Sequence, residues 1–151
     1  MTVSVNDVAA YILAKDGPMS AMKLQKLCYF AYGYHLAWED RQLFPERFEA
    51  WANGPVVYAL YDQHRGRYQL DRTDIQGDPS KLDDNERESV NVVLENFRSY
   101  SAHELSAMTH QPGPWLDARN RAGAAELQRS NEELRDEEIA DFFGALVGRE
   151  D

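Results

Sequence analysis

The sequence predicts a mainly α-helical fold: a compact bundle of about six helices with a small β-hairpin, or a two- to three-stranded element, near residues 47–76. Apolar residues recur at helical spacing through most of the chain. Helix-capping residues precede these segments, and glycine or proline follows several of them. One short segment alternates apolar and polar residues, as strands do. A length of 151 residues suits one domain, which we expect to cover residues 1–151.

The composition favours a folded protein and argues against two classes of partner. Apolar residues make up 43% of the chain, and 26 acidic against 16 basic side chains give a net charge of −10. Because nucleic acids and anionic membranes attract Lys and Arg, we expect neither as a partner. The chain opens without a signal-peptide pattern and has no apolar run long enough to span a bilayer. We therefore expect a cytoplasmic protein.

The first two helices are predicted from their caps. Ser4, with Asp7 three residues later, predicts a helix that ends at Gly17. Ser20 predicts the start of a longer helix over residues 21–39. Its apolar stripe consists of Leu24, Leu27, Cys28, Ala31, His35 and Trp38. Since its other faces also carry aromatic residues, we expect this helix to be central and the most buried.

The predicted β element begins at residues 48–51, where apolar and polar residues alternate before Asn53-Gly54-Pro55. Proline suits the first position of a helix, so Pro55 predicts a helix over residues 56–64. Residues 67–75 are the expected partner strand.

The second half of the chain predicts four more helices. A cap at Asp83 or Asp84 precedes the first, and Ser101 with Glu104 forms a capping box for the second. A third, short helix is expected from Pro114 through Ala118. The apolar stripe of the last helix consists of Ile139, Phe142, Phe143 and Leu146.

Patterns that specify a reaction are not found. The chain has no phosphate-binding glycine loop, no CxxC and no HExxH, and His103 and His110 have no third metal ligand nearby in sequence. The single cysteine, Cys28, lies in an apolar stripe, which favours a core residue over a nucleophile. His35 on that stripe is expected to be partly buried and hydrogen-bonded. We predict no catalytic residue, metal site or cofactor; an enzyme using Cys28 or the histidines remains an alternative.

Cationic, aromatic and acidic residues are the candidates for binding. Lys23 and Lys26 indicate either a solvated helix face or groups that pair with acids or a partner near residues 49–55. Trp51 and Trp115 suit either the core or an interface. Residues 124–151 contain nine acids and three arginines. That segment is either a solubilising face or a surface complementary to a basic partner, which would mainly speed association.

Two motifs of the first half resemble a known family. K-L-Q-K-L-x-Y occupies residues 23–29 and F-E-A-W-x-x-G-P-V residues 48–56, followed by a tyrosine and by later L-S-x-x-T-H and P-W elements. Together they resemble the Panacea domain, the SocA-like or GepA-like family of phage-associated antitoxin proteins. We expect the motif residues Leu24, Leu27, Tyr29, Glu49, Gly54, Pro55 and Trp115 to maintain the fold.

The resemblance implies a helical antitoxin that binds and blocks a protein toxin, encoded by an adjacent gene in a type II toxin–antitoxin system. It implies no enzymatic activity. An alternative is a proteolytic adaptor that delivers the toxin to a cellular protease. We expect the partner-binding face to comprise Lys23, Gln25, Lys26, Trp51 and Tyr61. Charge reversal at Lys26 is expected to weaken neutralisation without unfolding the domain.

Overall fold

Helices surround one long central helix in the computed structural model, which describes residues 2–148. The helices of this part of the chain are α1 (Val5–Asp16), α2 (Ala21–Glu39), α3 (Tyr58–His64), α4 (Asp84–Phe97), α5 (Ala102–Thr109), α6 (Pro114–Ala122) and α7 (Asp136–Leu146). The strands are β1 (Met19–Ser20), β2 (Phe48–Trp51), β3 (Gly54–Val57) and β4 (Gln69–Leu70). Short 3-10 turns lie at Arg72–Asp74 and Pro79–Lys81. The predicted mainly α class with a small β element is confirmed.

Side-chain caps begin most of the helices, as predicted. At α1, Ser4 Oγ accepts from the Asp7 amide, and the Asp7 carboxylate accepts from the Ser4 amide. The same reciprocal pair joins Ser101 and Glu104 at α5. Ser20 caps α2, which runs over the predicted range. These bounds could be predicted because a cap and the amides that it satisfies are neighbours in sequence.

Helix α2 is the centre of the molecule, as its apolar faces predicted. It packs against α1, α4, α5 and α7 and against strand β3. Gly33 permits the close approach of α7, because a Cβ atom at this position would lie 2.1 Å from Cε2 of Phe143. The Phe143 ring is fully buried and meets the ring of Tyr29 edge to face at 5.5 Å between centroids.

The predicted partner of the first β segment is wrong. Strand β2 pairs antiparallel with β3, in the register Phe48↔Val57 to Trp51↔Gly54, and not with residues 67–75. Residues 55–57 therefore belong to a strand, and α3 begins at Tyr58 instead of directly after Pro55. The adjacent β-branched residues Val56 and Val57 favour this extended backbone.

Two further pairings complete the β structure. Strand β4 pairs with β1, so a short part of residues 67–75 is a strand but with another partner. A segment before α7 joins the hairpin: the Ala50 amide donates to the Glu132 carbonyl at 2.8 Å, and the Leu134 amide to the Phe48 carbonyl at 2.9 Å. Such pairings depend on distant residues, which local patterns do not reveal.

Helix α6 is longer than predicted. It continues beyond Ala118 to Ala122 and ends at Gly123, whose φ is 67°. The helix ends there because glycine adopts this left-handed backbone at little cost. Across residues 2–148, no helix is both long and apolar enough to cross a bilayer.

Candidate functional site

An open pocket of about 330 Å³ lies where the start of α2, the β2–β3 hairpin and α3 meet. Part of its wall comes from residues 124–131, which we call the covering segment. This cavity, the Trp51 pocket, is lined by Ala21, Met22, Gln25, Lys26, Trp51, Ala52, Asn53, Val56, Tyr61, His64, Leu127 and Arg129.

Gln25 joins α2 to the end of the hairpin. Its Oε1 accepts from the Val57 amide at 3.0 Å, and its Nε2 donates to the Val57 carbonyl at 3.3 Å. The amide nitrogen also lies 3.1 Å from Nε2 of His64. Because this Gln25 nitrogen is a donor, His64 Nε2 acts as the acceptor and the imidazole is neutral. The pKa of His64 is lowered mainly by burial and also by the charge of Lys26.

Lys26 is a buried lysine, only 1% exposed. Its Nζ donates to the Pro55 carbonyl at 3.0 Å. Within residues 2–148 no carboxylate forms an ion pair with it. Loss of hydration on burial lowers the pKa of Lys26 to about 7. A carboxylate in its place would be buried facing the Pro55 carbonyl, so we now expect charge reversal at Lys26 to destabilise the domain.

Trp51 and Tyr61 form the aromatic wall of the pocket. Their rings meet edge to face at 4.9 Å between centroids. The Trp51 Nε1 group donates to the Glu49 carboxylate at 2.8 Å, and the Arg129 guanidinium lies 4.5 Å from the centre of the indole ring. The indole is therefore held on one edge and covered on one face while remaining partly exposed.

Arg119 positions the covering segment. Its guanidinium donates to the Ala50 carbonyl at 2.8 Å, and to the Ala125 and Gln128 carbonyls at 2.8 and 2.6 Å. This side chain is buried, and it connects α6 to both the hairpin and the covering segment. Sequence patterns did not indicate Arg119, because an arginine in a short helix beside Asp117 and Arg121 gives no signal of burial.

The structure brings together four of the five residues predicted to bind a partner. Gln25, Lys26, Trp51 and Tyr61 all line the Trp51 pocket. Lys23 lies apart from it and donates from Nζ to the Arg98 carbonyl at 2.6 Å. The predicted neighbourhood of Lys26 with residues 49–55 is present through its hydrogen bond to Pro55. Partner binding by these residues stays a prediction.

The motif residues lie mostly in the core. Leu24, Leu27 and Tyr29 are buried on α2, and Trp115 is 6% exposed. The Trp115 Nε1 group donates to the Trp51 carbonyl at 2.8 Å, and its ring stacks on His110 at 4.1 Å. Of the two interpretations of Trp115, the core one fits this burial.

Similarity to known proteins identifies the family of this chain. A family model described as "Antitoxin SocA-like, Panacea domain" matches residues 24–116, which is more than half of the chain. The chain belongs to the SocA-like Panacea-domain family. A relative from Caulobacter vibrioides (strain NA1000 / CB15N), named "Antitoxin SocA", is 34% identical over 138 residues, covering 81% of this chain and 73% of the relative. No solved structure matches significantly.

The Trp51 pocket is built mainly within the matched Panacea region. Gln25, Lys26, Trp51 and Tyr61 fall inside residues 24–116. Leu127 and Arg129 of the covering segment lie beyond it. The family match confirms the predicted resemblance. The pocket combines residues of the matched range with residues outside it.

Other residues weighed for chemistry lie elsewhere in this Panacea domain. Cys28 is fully buried, which raises the pKa of its thiol. His35 is fully buried, not partly as expected: Nδ1 lies 2.7 Å from Ser89 Oγ, while Nε2 lacks a hydrogen-bond partner within residues 2–148. Burial is the main cause that lowers the His35 pKa. In the same part of the chain, no three His, Cys, Asp or Glu side chains are grouped to hold a metal ion.

The acidic segment is partly neutralised within the fold. Arg121 pairs with Glu138 at 2.8 Å and with Glu132 at 3.4 Å. Asp136 accepts from the Tyr32 hydroxyl at 2.7 Å and lies 3.6 Å from Arg47. Two acids of the tail, at positions 150 and 151, lie outside the described residues. These pairings give several of the acids a structural role, and the basic partner remains a prediction.

Proposed function

We propose that this Panacea domain is the antitoxin of a type II toxin–antitoxin system, which neutralises a cognate protein toxin by direct binding in the cytoplasm. The observation that carries the binding role is the Trp51 pocket, an open aromatic cavity that contains most of the predicted partner-binding residues. The antitoxin role is supported by the family and by the relative named Antitoxin SocA.

The pocket has the properties of an interface anchor site. Partly exposed Trp and Tyr side chains contribute strongly to binding when a partner removes their remaining contact with water. Trp51 is already held by Glu49 and Arg129, so it loses little conformational freedom on binding. Tyr58, 43% exposed, extends the aromatic surface beside Trp51 and Tyr61.

A stable complex needs more area than the pocket alone. Specific interfaces bury about 1,200–2,000 Å² in total, so the partner must also contact the surface around the pocket. Leu127 offers such a contact, since it is 77% exposed at the edge of the pocket. Occlusion of the toxin's active surface, without chemistry on the toxin, is the mechanism we propose. The buried Cys28 thiol, whose pKa is raised, supports a non-enzymatic role.

Co-expression with the product of the adjacent gene tests this function. The toxin alone should stop growth, and this chain should restore growth and co-purify with the toxin. Trp51→Ala should weaken both effects, whereas Trp38→Ala is the matched control, because Trp38 is a 41% exposed tryptophan at the far end of α2. Absence of rescue together with absence of a complex would sink the proposal.

Toxin stability separates occlusion from proteolytic delivery. Under occlusion, the half-life of the toxin is unchanged or longer when this chain is present. A half-life that shortens, and recovers in a host without the protease, would replace occlusion with the adaptor mechanism.

A further inference from the structure

We propose that the Trp51 pocket receives an acidic segment of the partner protein, with an apolar side chain against Trp51 and Tyr61 and a carboxylate paired with Lys26. This inference rests on the proposed function and names the chemistry of the partner's anchor. It runs against the first expectation from a net charge of −10, which is a basic partner.

The charges that line the pocket are of one sign. The cationic lining residues are Lys26 and Arg129, His64 is neutral, and none of the described lining residues is acidic. This is a local exception in a chain with 26 acidic and 16 basic side chains. Glu49 is the nearby carboxylate, and it is engaged by the Trp51 Nε1 group. The pocket therefore complements a negative group, although the protein as a whole is negative.

The environment of Lys26 identifies where that negative group binds. The ammonium can donate three hydrogen bonds, and within residues 2–148 its one hydrogen bond is to Pro55. His64 on α3 and His110 after α5 are close enough for the charge of Lys26 to lower the pKa of each imidazole. Thr109 Oγ1 is the neutral group on that side, 3.0 Å from where a Cβ of Gly54 would stand. Among the described residues, no carboxylate forms an ion pair with any of these nitrogens.

Binding a carboxylate here is favourable because Lys26 has already lost its water. A new buried ion pair normally requires both charges to be desolvated, which offsets much of their attraction. In this pocket folding has desolvated the lysine, as its pKa of about 7 reflects. A partner then has to desolvate the carboxylate alone, and the ammonium gains a counter-ion that residues 2–148 do not supply.

The apolar walls define the rest of the ligand. Met22, Val56 and Leu127 line the pocket together with the two aromatic rings. A volume of about 330 Å³ accommodates an apolar side chain in addition to a carboxylate. Phenylacetate combines these two features, and phenylacetamide has the same shape without the charge. Benzylammonium carries the opposite charge.

Titration of the full-length chain with these three probes tests the inference without a toxin. The NMR signal of the Trp51 indole N–H, assigned with Trp51→Phe, reports binding. Near pH 6 we expect phenylacetate to bind about tenfold more tightly than phenylacetamide, as a charged hydrogen bond implies, and benzylammonium to bind most weakly. The preference for phenylacetate should fall above pH 7 as free Lys26 loses its proton.

The Lys26→Met variant provides the matched comparison. Methionine keeps an unbranched apolar stem and removes the ammonium group, so the variant should retain phenylacetamide binding and lose the preference for phenylacetate. Equal binding of both probes by the wild-type chain near pH 6, or tighter binding of benzylammonium, would overturn the inference. The pH series uses the wild-type chain, so the test does not depend on the variant folding.

The toxin arm separates this inference from the proposed function. If wild-type chain and toxin form no complex, the proposed function fails, whatever the probes show. If they form a complex that Lys26→Met leaves unchanged, and the wild-type pocket has no preference for phenylacetate, this inference alone fails. If the inference holds, one Asp→Asn or Glu→Gln change in the toxin should weaken the complex as much as Lys26→Met does. Combining the two changes should cause no further loss.

Discussion

The ammonium group of Lys26 donates a hydrogen bond to the carbonyl oxygen of Pro55, 3.0 Å away and 29 residues later in the chain. This bond connects α2 to strand β3 of the hairpin that carries Trp51. The lysine is therefore both a structural link and a wall of the proposed binding site.

Lys26→Glu should destabilise the domain by about 3 kcal/mol or more, because it leaves a buried carboxylate without a donor. Urea denaturation followed by circular dichroism measures this change. Lys23→Glu is the matched control, since Lys23 is less buried and its hydrogen bond reaches only the end of α4; we expect a loss of about 1 kcal/mol or less. Similar losses in the two variants would contradict the burial of Lys26.

The stability of the wild-type chain should rise between pH 7 and pH 9. Burial lowers the pKa of Lys26 from 10.5 to about 7, so in this range the unfolded chain binds a proton that the folded chain has released. The free energy of unfolding then increases with pH, by at most about 1.4 kcal/mol per pH unit from this group. Comparison with Lys26→Met, which lacks this ammonium group, isolates the effect. Parallel pH profiles for the two proteins would rule it out.

Gly54→Ala should cost about 2 kcal/mol of stability. The φ of Gly54 is 128°, and an added Cβ would lie 2.5 Å from Cε of Lys26. Gly66→Ala is the control, because Gly66 has a φ of 83° with no heavy atom within 4 Å of its added Cβ. Thermal unfolding should show a smaller loss for Gly66→Ala, of about 1 kcal/mol, and the reverse order would be evidence against the close packing at Gly54.

Arg119→Met should release the covering segment. The substitution removes the donors for the Ala50, Ala125 and Gln128 carbonyls, so amide hydrogen exchange and tryptic cleavage after Arg129 should accelerate. Arg87→Met, on the distant helix α4, serves as the control. Unchanged protection of residues 124–131 in Arg119→Met would show that other contacts hold the segment.

Gly33→Ala should destabilise the contact between α2 and α7 by about 2 kcal/mol, because the added methyl group meets the buried Phe143 ring. Combining it with Phe143→Leu creates space for the methyl group. We therefore expect the double variant to lose less stability than the sum of the single ones, as measured by urea denaturation. Simple additivity would argue against a direct contact.

Local signals in the sequence predicted the helices well. Ser4 and Ser101 lie beside the amides that they cap, and α2 has its predicted bounds. The prediction of the hairpin partner was wrong because strand pairing is decided by contacts between distant segments. The contact between Gln25 and Val57 is one of them. The site was predicted in part for the same reason. Motif residues indicated Trp51 and Tyr61, whereas the roles of Arg119 and Arg129 exist only after the covering segment has folded over the hairpin.

The packing of α7 against α2 also sets the time at which the molecule becomes complete. Tyr32 and Asp136 share a hydrogen bond across 104 residues of sequence, and Phe143 reaches Gly33 from still later in the chain. While the ribosome is still making α6, the face of α2 that α7 covers has no neighbour, and contacts this distant form slowly. The nascent chain thus cannot bury this face of α2 until translation passes Leu146. Under the proposed function, a toxin synthesised at the same time meets a completely folded antitoxin only after that delay.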